Sequence, residues 1–103
     1  MTKLLLALDY DDTYTADSVL FDIFVNLARA KGYEIHIVTM RHDSEPITLS
    51  CEVDQIHYTD RKAKKAYMES KGLLVDIWID DRPDFVIKDA APRHLEIQSY
   101  KKG

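Results

Sequence analysis

The sequence predicts an α/β domain built on a central, mostly parallel sheet. Short apolar runs that suit buried strands alternate with segments whose apolar residues recur at helical spacing. The two clearest helical segments both end at a glycine. With 103 residues, 46 % of them hydrophobic and 31 % charged, the chain has the length and composition of one globular domain, residues 1–103.

The first half of the chain contains two predicted strands and one helix. The continuous apolar run at residues 4–8 suits a strand that is covered on both faces. A helix is predicted in ADSVLFDIFVNLARAKG, which Asp17 can cap and Gly32 can end. Its apolar residues at helical spacing are Leu20, Ile23, Phe24, Leu27 and Ala28. YEIHIVT is a second apolar strand that closes on Thr39.

The second half repeats this order with weaker signals. Residues 40–54 are predicted as loop, QIHYT as a third strand and DRKAKKAYMESKG as a helix. LLVDIWIDD is predicted as a fourth strand, with Val75, Ile77 and Ile79 on one face and Trp78 on the other. HLEIQSY could add a short edge strand. Strand, helix and strand in repeated order favour parallel pairing through right-handed crossovers.

Polar side chains stand at the carboxyl ends of three predicted strands. They are Asp9 and Asp11, Thr39, and Asp80 with Asp81. Because parallel strands bring their carboxyl ends to one edge, these groups are expected to share a crevice. In extended backbone Asp9 and Asp11 would face the same side, about 6–7 Å apart, whereas Asp12 would point aside.

Carboxylates gathered in one crevice raise one another's pKa unless a cation compensates them. Mg²⁺ suits this role best, since it is held by one or two carboxylates together with waters and a phosphate. The four histidines lack the spacing of a zinc site. A cation, a threonine hydroxyl and a lysine around carboxylates suit phosphoryl transfer, in which one carboxylate attacks and a second moves the proton.

Four segments resemble the motifs of the haloacid dehalogenase (HAD) superfamily. DYDDT resembles its first motif, D-x-D-x-T, and IHIVT resembles its second, an apolar strand that closes on Thr or Ser. DIWIDDRPD resembles its fourth motif, and a lysine-bearing helix lies where the family places its third. The resemblance covers residues 4–87. It implies a three-layer, Rossmann-like HAD fold.

The resemblance implies a Mg²⁺-dependent phosphatase that works through an aspartyl-phosphate intermediate. Asp9 would be the nucleophile, Asp11 the general acid and base, and Thr39 a phosphate-binding residue. Asp80 would bind Mg²⁺ together with the Asp9 carboxylate and the backbone carbonyl of Asp11. Asp81 would bind the metal directly or through water.

The phosphate-contacting lysine of the third motif has three candidates, Lys62, Lys64 and Lys65. The spacing to the following strand favours Lys64, with the other two solvated. Thr13 would support the loop of the first motif. Asp84 would either lie behind the metal ligands or belong to the local turn.

The chain has no room for the cap domain that many members of this family insert. In that family an open site is associated with bulky or macromolecular substrates, or with a partner subunit that acts as the lid. The expected substrate is therefore a nucleotide, a nucleic-acid end or a phosphoprotein, and an oligomer is compatible with the sequence. Arg41 and His42 follow Thr39 and could contact substrate or be solvated. Asp12 departs from the family, which often has glycine there.

Composition excludes several other classes. The net charge is −4 and no long basic stretch is present, so a general nucleic-acid-binding surface is not expected. One cysteine forms no internal disulfide and suits a reducing compartment. Without a leader or an apolar run of membrane-spanning length, the expectation is a cytoplasmic protein with no membrane contact.

Two alternatives belong to other functional classes. A receiver-type signalling domain also gathers acids, a Thr or Ser and a lysine, but there the phosphoacceptor strand precedes the Thr strand and the lysine ends the last strand. Here the lysines open a helix and Thr39 precedes Asp80. The second alternative is a catalytically idle HAD-like binding module, against which the intact Asp9 and Asp11 pair argues.

Overall fold

The computed structural model describes residues 3–91, which fold around one sheet. The elements are β1 (Leu5–Leu8), α1 (Ser18–Ala30), β2 (Glu34–Thr39), β3 (Gln55–Tyr58), α2 (Lys64–Ser70), β4 (Ile77–Ile79) and α3 (Asp84–Ile87). A single 3₁₀ turn, Tyr14–Ala16, precedes α1. The predicted strand HLEIQSY lies outside the described residues. Of the helices in this part of the chain, none is long and apolar enough to cross a membrane.

The sheet has the strand order β3-β2-β1-β4, and every pairing in it is parallel. Strand β1 is therefore central, with Leu6 in register with Ile35 on one side and Ile77 on the other. The predicted α/β class with a parallel sheet is confirmed. This order places the carboxyl ends of β1, β2 and β4 next to one another.

The two faces of the sheet bury different side chains of the same strands. Leu6 and Leu8 pack on the side of Val25 in α1, in a cluster that includes Ile35 and Ile37. Leu5 and Ala7 point the other way, toward Met68 in α2, together with Val38. Because successive strand residues alternate in direction, a continuous apolar run is what such a two-sided core requires.

Helix α1 begins as the sequence predicts but buries a different face. The Asp17 carboxylate accepts a hydrogen bond from the Leu20 amide at 3.0 Å, as expected of a capping residue. Phe21 and Phe24 join Val25 and Ala28 against the sheet. By contrast, the predicted apolar residues Leu20, Ile23 and Leu27 are 56 %, 61 % and 59 % exposed.

Helix α2 and strand β4 are both shorter than their sequence patterns suggest. Asp60 and Arg61 have φ angles of 52° and 70°, a left-handed conformation that is incompatible with a helix beginning at Asp60. Strand β4 pairs with β1 over three residues only. Val75 lies outside β4 and packs on the α2 side with Trp78, so its predicted position on the face of Ile79 is wrong.

Two aspartates join neighbouring strands where they begin. The carboxylate of Asp76, just before β4, accepts the Leu5 amide of β1 at 2.7 Å. The carboxylate of Asp54, just before β3, accepts the Ile35 amide of β2 at 2.7 Å. Each bond satisfies a backbone donor at a strand start and fixes the register of a parallel pair.

A buried pair of histidines lies between β2 and β3. Nδ1 of His36 is 2.9 Å from Nε2 of His57, and the other ring nitrogen of His36 is 2.6 Å from the Glu34 carboxylate. The His57 ring packs edge-on against Tyr67 of α2. Burial lowers the pKa of His57 to about 4, and the neighbouring His36 and Lys71 act in the same direction.

The depressed pKa of His57 predicts a loss of stability in mild acid. Between pH 6.5 and about 4 the unfolded chain binds a proton at His57 that the native chain does not, so stability is complete above pH 6.5 and falls as the pH drops. The effect is about 2 kcal/mol at pH 5. Urea unfolding of the wild type and His57→Gln at pH 7 and pH 5 measures it. The wild type should lose more stability than the variant, and equal losses would contradict the assignment.

Candidate functional site

The candidate site is a cleft of about 200 Å³ at the carboxyl ends of the strands. Asp9 follows β1, Thr39 ends β2, and Asp80 and Asp81 follow β4. The cleft is lined by Asp9, Asp11, Asp12, Thr39, Met40, Arg41, Arg61, Lys64, Asp80, Asp81, Arg82 and Phe85. All the residues that the sequence singles out as catalytic or metal-binding therefore border one cavity.

Lys64 occupies the centre of the site. Its Nζ donates to Asp9 Oδ1 at 2.8 Å and to Asp80 Oδ2 at 2.5 Å, which links the ends of β1 and β4. Lys64 is only 2 % exposed, whereas Lys62 and Lys65 are exposed on the surface. Because α2 begins at Lys64, its first side chain reaches the sheet edge. Among the three candidates, Lys64 is the lysine in contact with the acids.

Three carboxylates converge beside this lysine. One oxygen each from Asp9, Asp80 and Asp81 can be chosen so that all lie within 4.8 Å of one another. The hydroxyl of Thr13 is 2.9 Å from Asp9 Oδ2 and 3.2 Å from Asp81 Oδ1, and it accepts the Asp81 amide at 3.1 Å. Thr13 thereby ties the loop after β1 to the loop after β4, which matches its predicted supporting role.

The surroundings of Asp9 in the cluster shift the pKa of its carboxyl group. Burial raises the pKa of Asp9 to about 7, and the nearby carboxylates of Asp81 and Asp80 act in the same direction. The ammonium group of Lys64 opposes this shift. One lysine therefore does not offset the whole negative charge of the cluster, which leaves it suited to a further cation.

Asp11 and Asp12 differ from their predicted geometry, because β1 ends at Leu8 and the chain turns after Asp9. Asp11 does not join the carboxylate cluster. Its two oxygens instead accept Nε and Nη2 of Arg41 at 2.9 and 2.8 Å. Asp12 has a φ of 62°, is exposed, and also borders the cleft.

Thr39 is buried at the end of β2 and also borders the cleft. Its Oγ1 accepts the amide of Arg41 at 3.3 Å, so its hydroxyl proton can be directed to another acceptor. Asp84, the remaining candidate acid, begins α3 and forms ion pairs with Arg82 and Lys88. It is not a member of the three-carboxylate cluster.

Comparisons with known proteins identify no relative. No family model matches the chain, and neither a curated protein nor a solved structure matches it. Its function must therefore be inferred from the geometry of the cleft and from the resemblance of its motifs.

One contact in the cleft exceeds what the sequence could specify. The sequence allows Arg41 either to contact substrate or to be solvated. Its two hydrogen bonds to Asp11 depend on how residues 9–13 turn, so the sequence could not predict them. The sequence signal for this contact is the position of Arg41 two residues after Thr39, at the same sheet edge as the acids.

Proposed function

We propose that this protein is a Mg²⁺-dependent phosphatase of the HAD type, with a three-layer HAD-like fold and an aspartyl-phosphate intermediate. The observation that carries the proposal is the contact of buried Lys64 with Asp9 and Asp80, which come from adjacent strands. It joins three of the motifs that resemble those of the HAD family. A cluster of capping acids would have no reason to enclose a lysine that is 2 % exposed.

The residues present fit a hard divalent cation. Asp9, Asp80 and Asp81 offer carboxylate oxygens within 4.8 Å of one another, and oxygen is the ligand type that Mg²⁺ prefers. The cluster contains no sulfur or imidazole ligand. These three residues would hold the ion, with the backbone carbonyl of Asp11 as the fourth protein ligand that the family resemblance implies. When bound, Mg²⁺ supplies positive charge for the phosphoryl oxygens and for the ionised form of Asp9.

The residues of the chain divide the chemistry between them. A carboxylate oxygen of Asp9 attacks phosphorus, and the bond to the leaving oxygen breaks as that oxygen takes a proton from Asp11. Water then attacks the aspartyl-phosphate and gives its proton to Asp11, which frees the Asp9 carboxylate and releases phosphate. Lys64 and the hydroxyl of Thr39 bind phosphoryl oxygens during both steps.

The pKa of Asp9 sets a condition on this chemistry. Attack requires the ionised carboxylate, yet burial raises the pKa of Asp9 to about 7. Lys64 favours ionisation from one side, and a cation held by Asp80 and Asp81 favours it from the other. Asp9 is thus ionised and able to attack phosphorus only when both Lys64 and the cation are in place.

The substrate class follows from the absence of a cap over the cleft. In the described part of the chain, one helix separates Thr13 from β2, and a loop with one strand separates Thr39 from Lys64. We propose a nucleotide, a nucleic-acid end or a phosphoprotein as the substrate, with a second subunit as a compatible lid. A reducing, cytoplasmic setting is part of the same proposal, because the single cysteine forms no internal disulfide.

A panel of phosphoesters tests the proposed function. The protein is freed of metal with a chelator and assayed for phosphate release from aryl phosphates, nucleotides, end-phosphorylated oligonucleotides and phosphopeptides, with and without Mg²⁺. Release is expected only with Mg²⁺, and removal of the ion should lower it at least about 100-fold, since a bound metal contributes several kcal/mol to the transition state.

Three outcomes of this panel would contradict the proposal. Undiminished release in the presence of chelator would exclude a metal-dependent reaction. A stable phospho-aspartate without turnover would indicate a receiver-type domain. No release from any ester, together with no Mg²⁺ binding, would indicate an idle binding module.

A further inference from the structure

We propose that Arg41 binds a second anionic group of the substrate in place of the Asp11 carboxylate. This inference rests on the proposed phosphatase function. It narrows the substrate class to phosphoesters that carry another phosphate close to the one that is cleaved.

The starting point is the fork that Arg41 forms on Asp11. Nε is 2.9 Å from Oδ2 and Nη2 is 2.8 Å from Oδ1, so both carboxylate oxygens receive a guanidinium N–H. Asp11 is also not one of the three acids that converge beside Lys64. The guanidinium of Arg41 thus already binds a two-oxygen anion, the carboxylate of Asp11.

The pair is placed where it can be exchanged. The side chains of Arg41 and Asp11 are 31 % and 47 % exposed at the mouth of the cleft. Both side chains are therefore within reach of solvent and of a ligand in the cleft. A phosphate group offers the same two-oxygen geometry as a carboxylate and carries more charge, so it can replace Asp11 on the guanidinium.

Arg41 remains anchored when Asp11 is removed from it. Its guanidinium carbon lies 5.2 Å from the centre of the Tyr10 ring, and Tyr10 is buried. Nη1 also donates to the backbone carbonyls of Glu45 and Pro46 at 3.4 and 3.3 Å. These contacts do not involve Asp11, so the arginine stays oriented toward the cleft.

Two further arginines line the cleft together with five aspartates. Arg61 and Arg82 line the same cavity as Arg41. Lys64 is buried against Asp9 and Asp80, where it serves the cleaved phosphoryl group. The second phosphate is therefore assigned to the exposed fork of Arg41 and not to Lys64.

Symmetric small substrates test the inference without assuming a biological one. Alkanediol bisphosphates with chains of two to five carbons are compared with the corresponding monophosphates, and 4-nitrophenyl phosphate reports basal activity. The wild type should prefer at least one bisphosphate by roughly 10- to 100-fold in kcat/KM, the range for hydrogen bonds to charged groups. Arg41→Gln should abolish this preference through KM.

Basal activity separates this role from a structural one. In Arg41→Gln, kcat/KM should fall by a larger factor for the bisphosphates than for 4-nitrophenyl phosphate, which carries no second phosphate. Arg41→Lys keeps the charge without the fork and should recover part of the bisphosphate preference. Lys65→Gln removes the same charge from the exposed face of α2 and should keep the wild-type preference.

Each contrary outcome has a defined meaning. Hydrolysis of 4-nitrophenyl phosphate by the wild type without preference for any bisphosphate would overturn the role of Arg41 alone. An equal loss of kcat/KM toward all substrates in Arg41→Gln would also overturn the role of Arg41. No hydrolysis of any compound by the wild type would overturn the proposed function, and this inference with it.

Discussion

Replacing Asp9 with asparagine is expected to lower kcat by roughly 10⁴- to 10⁶-fold, the loss seen when a nucleophile is removed from a covalent mechanism. The amide has nearly the same shape as the carboxylate but cannot attack phosphorus. Phosphate release measured with Mg²⁺ and the best ester of the panel gives the loss. Asp12→Asn is the matched control, because Asp12 has a left-handed φ of 62° that asparagine also tolerates. It should retain most of the activity, and full activity in Asp9→Asn would exclude Asp9 as the nucleophile.

The same substitution should stabilise the metal-free protein. Burial raises the pKa of Asp9 from 3.8 to about 7. The protonated carboxyl group therefore stabilises the folded protein. This stabilisation is complete below pH 3.8 and is lost as the pH rises through about 7. Asparagine stays neutral and avoids this loss. At pH 8 in chelator, Asp9→Asn should therefore melt roughly 5 °C or more above the wild type. A lower melting temperature would contradict the charge balance described for the cluster.

Removing the buried lysine should affect both stability and activity. Lys64→Met leaves the carboxylates of Asp9 and Asp80 buried without their shared cation, and breaking a buried pair in this way costs about 3–5 kcal/mol. Urea unfolding of the metal-free protein measures the loss. Activity with Mg²⁺ should also fall by roughly 100-fold or more, since a charged contact to the phosphoryl group disappears.

The neighbouring lysine provides the control for this prediction. Lys65→Met changes the same residue type one position later in α2, where the side chain is 58 % exposed and pairs only loosely with Glu69 at 3.9 Å. Its stability should remain within about 0.5 kcal/mol of the wild type. Equal stability of the two variants would show that Lys64 does not compensate the acids.

The sequence specified the sheet better than the helical surfaces. Continuous apolar runs identified β1 and β2 because both of their faces are buried, and Asp17 marked the start of α1 by its hydrogen bond. Helical spacing alone could not say which stripe of α1 faces the sheet, since its apolar residues extend beyond the stripe that is buried. The start of α2 was misplaced because Asp60 and Arg61 adopt left-handed conformations, for which aspartate is only a weak signal and arginine is none.

In the candidate site, the sequence predicted which residues lie at the strand ends. It did not predict which side chains pair with one another. Parallel topology alone brings Asp9, Thr39 and Asp80 to one edge. Which acid pairs with which base depends on loop conformation, so the contact of Asp11 with Arg41 appears only in three dimensions. The choice of Lys64 over its neighbours likewise required the position at which α2 begins.

The central position of β1 has a consequence for synthesis of the chain. Leu5 and Asp76 are 71 positions apart and yet hydrogen-bonded, so β1 acquires its second neighbour only after most of the chain has been made. Pairings at such separation require closure of long loops and slow the folding of a domain. Asp80 and Asp81 arrive with β4, and Lys64 comes only shortly before it. A chain that lacks β4 therefore carries Asp9 at an incomplete sheet edge, and the pocket is complete only once β4 has paired with β1.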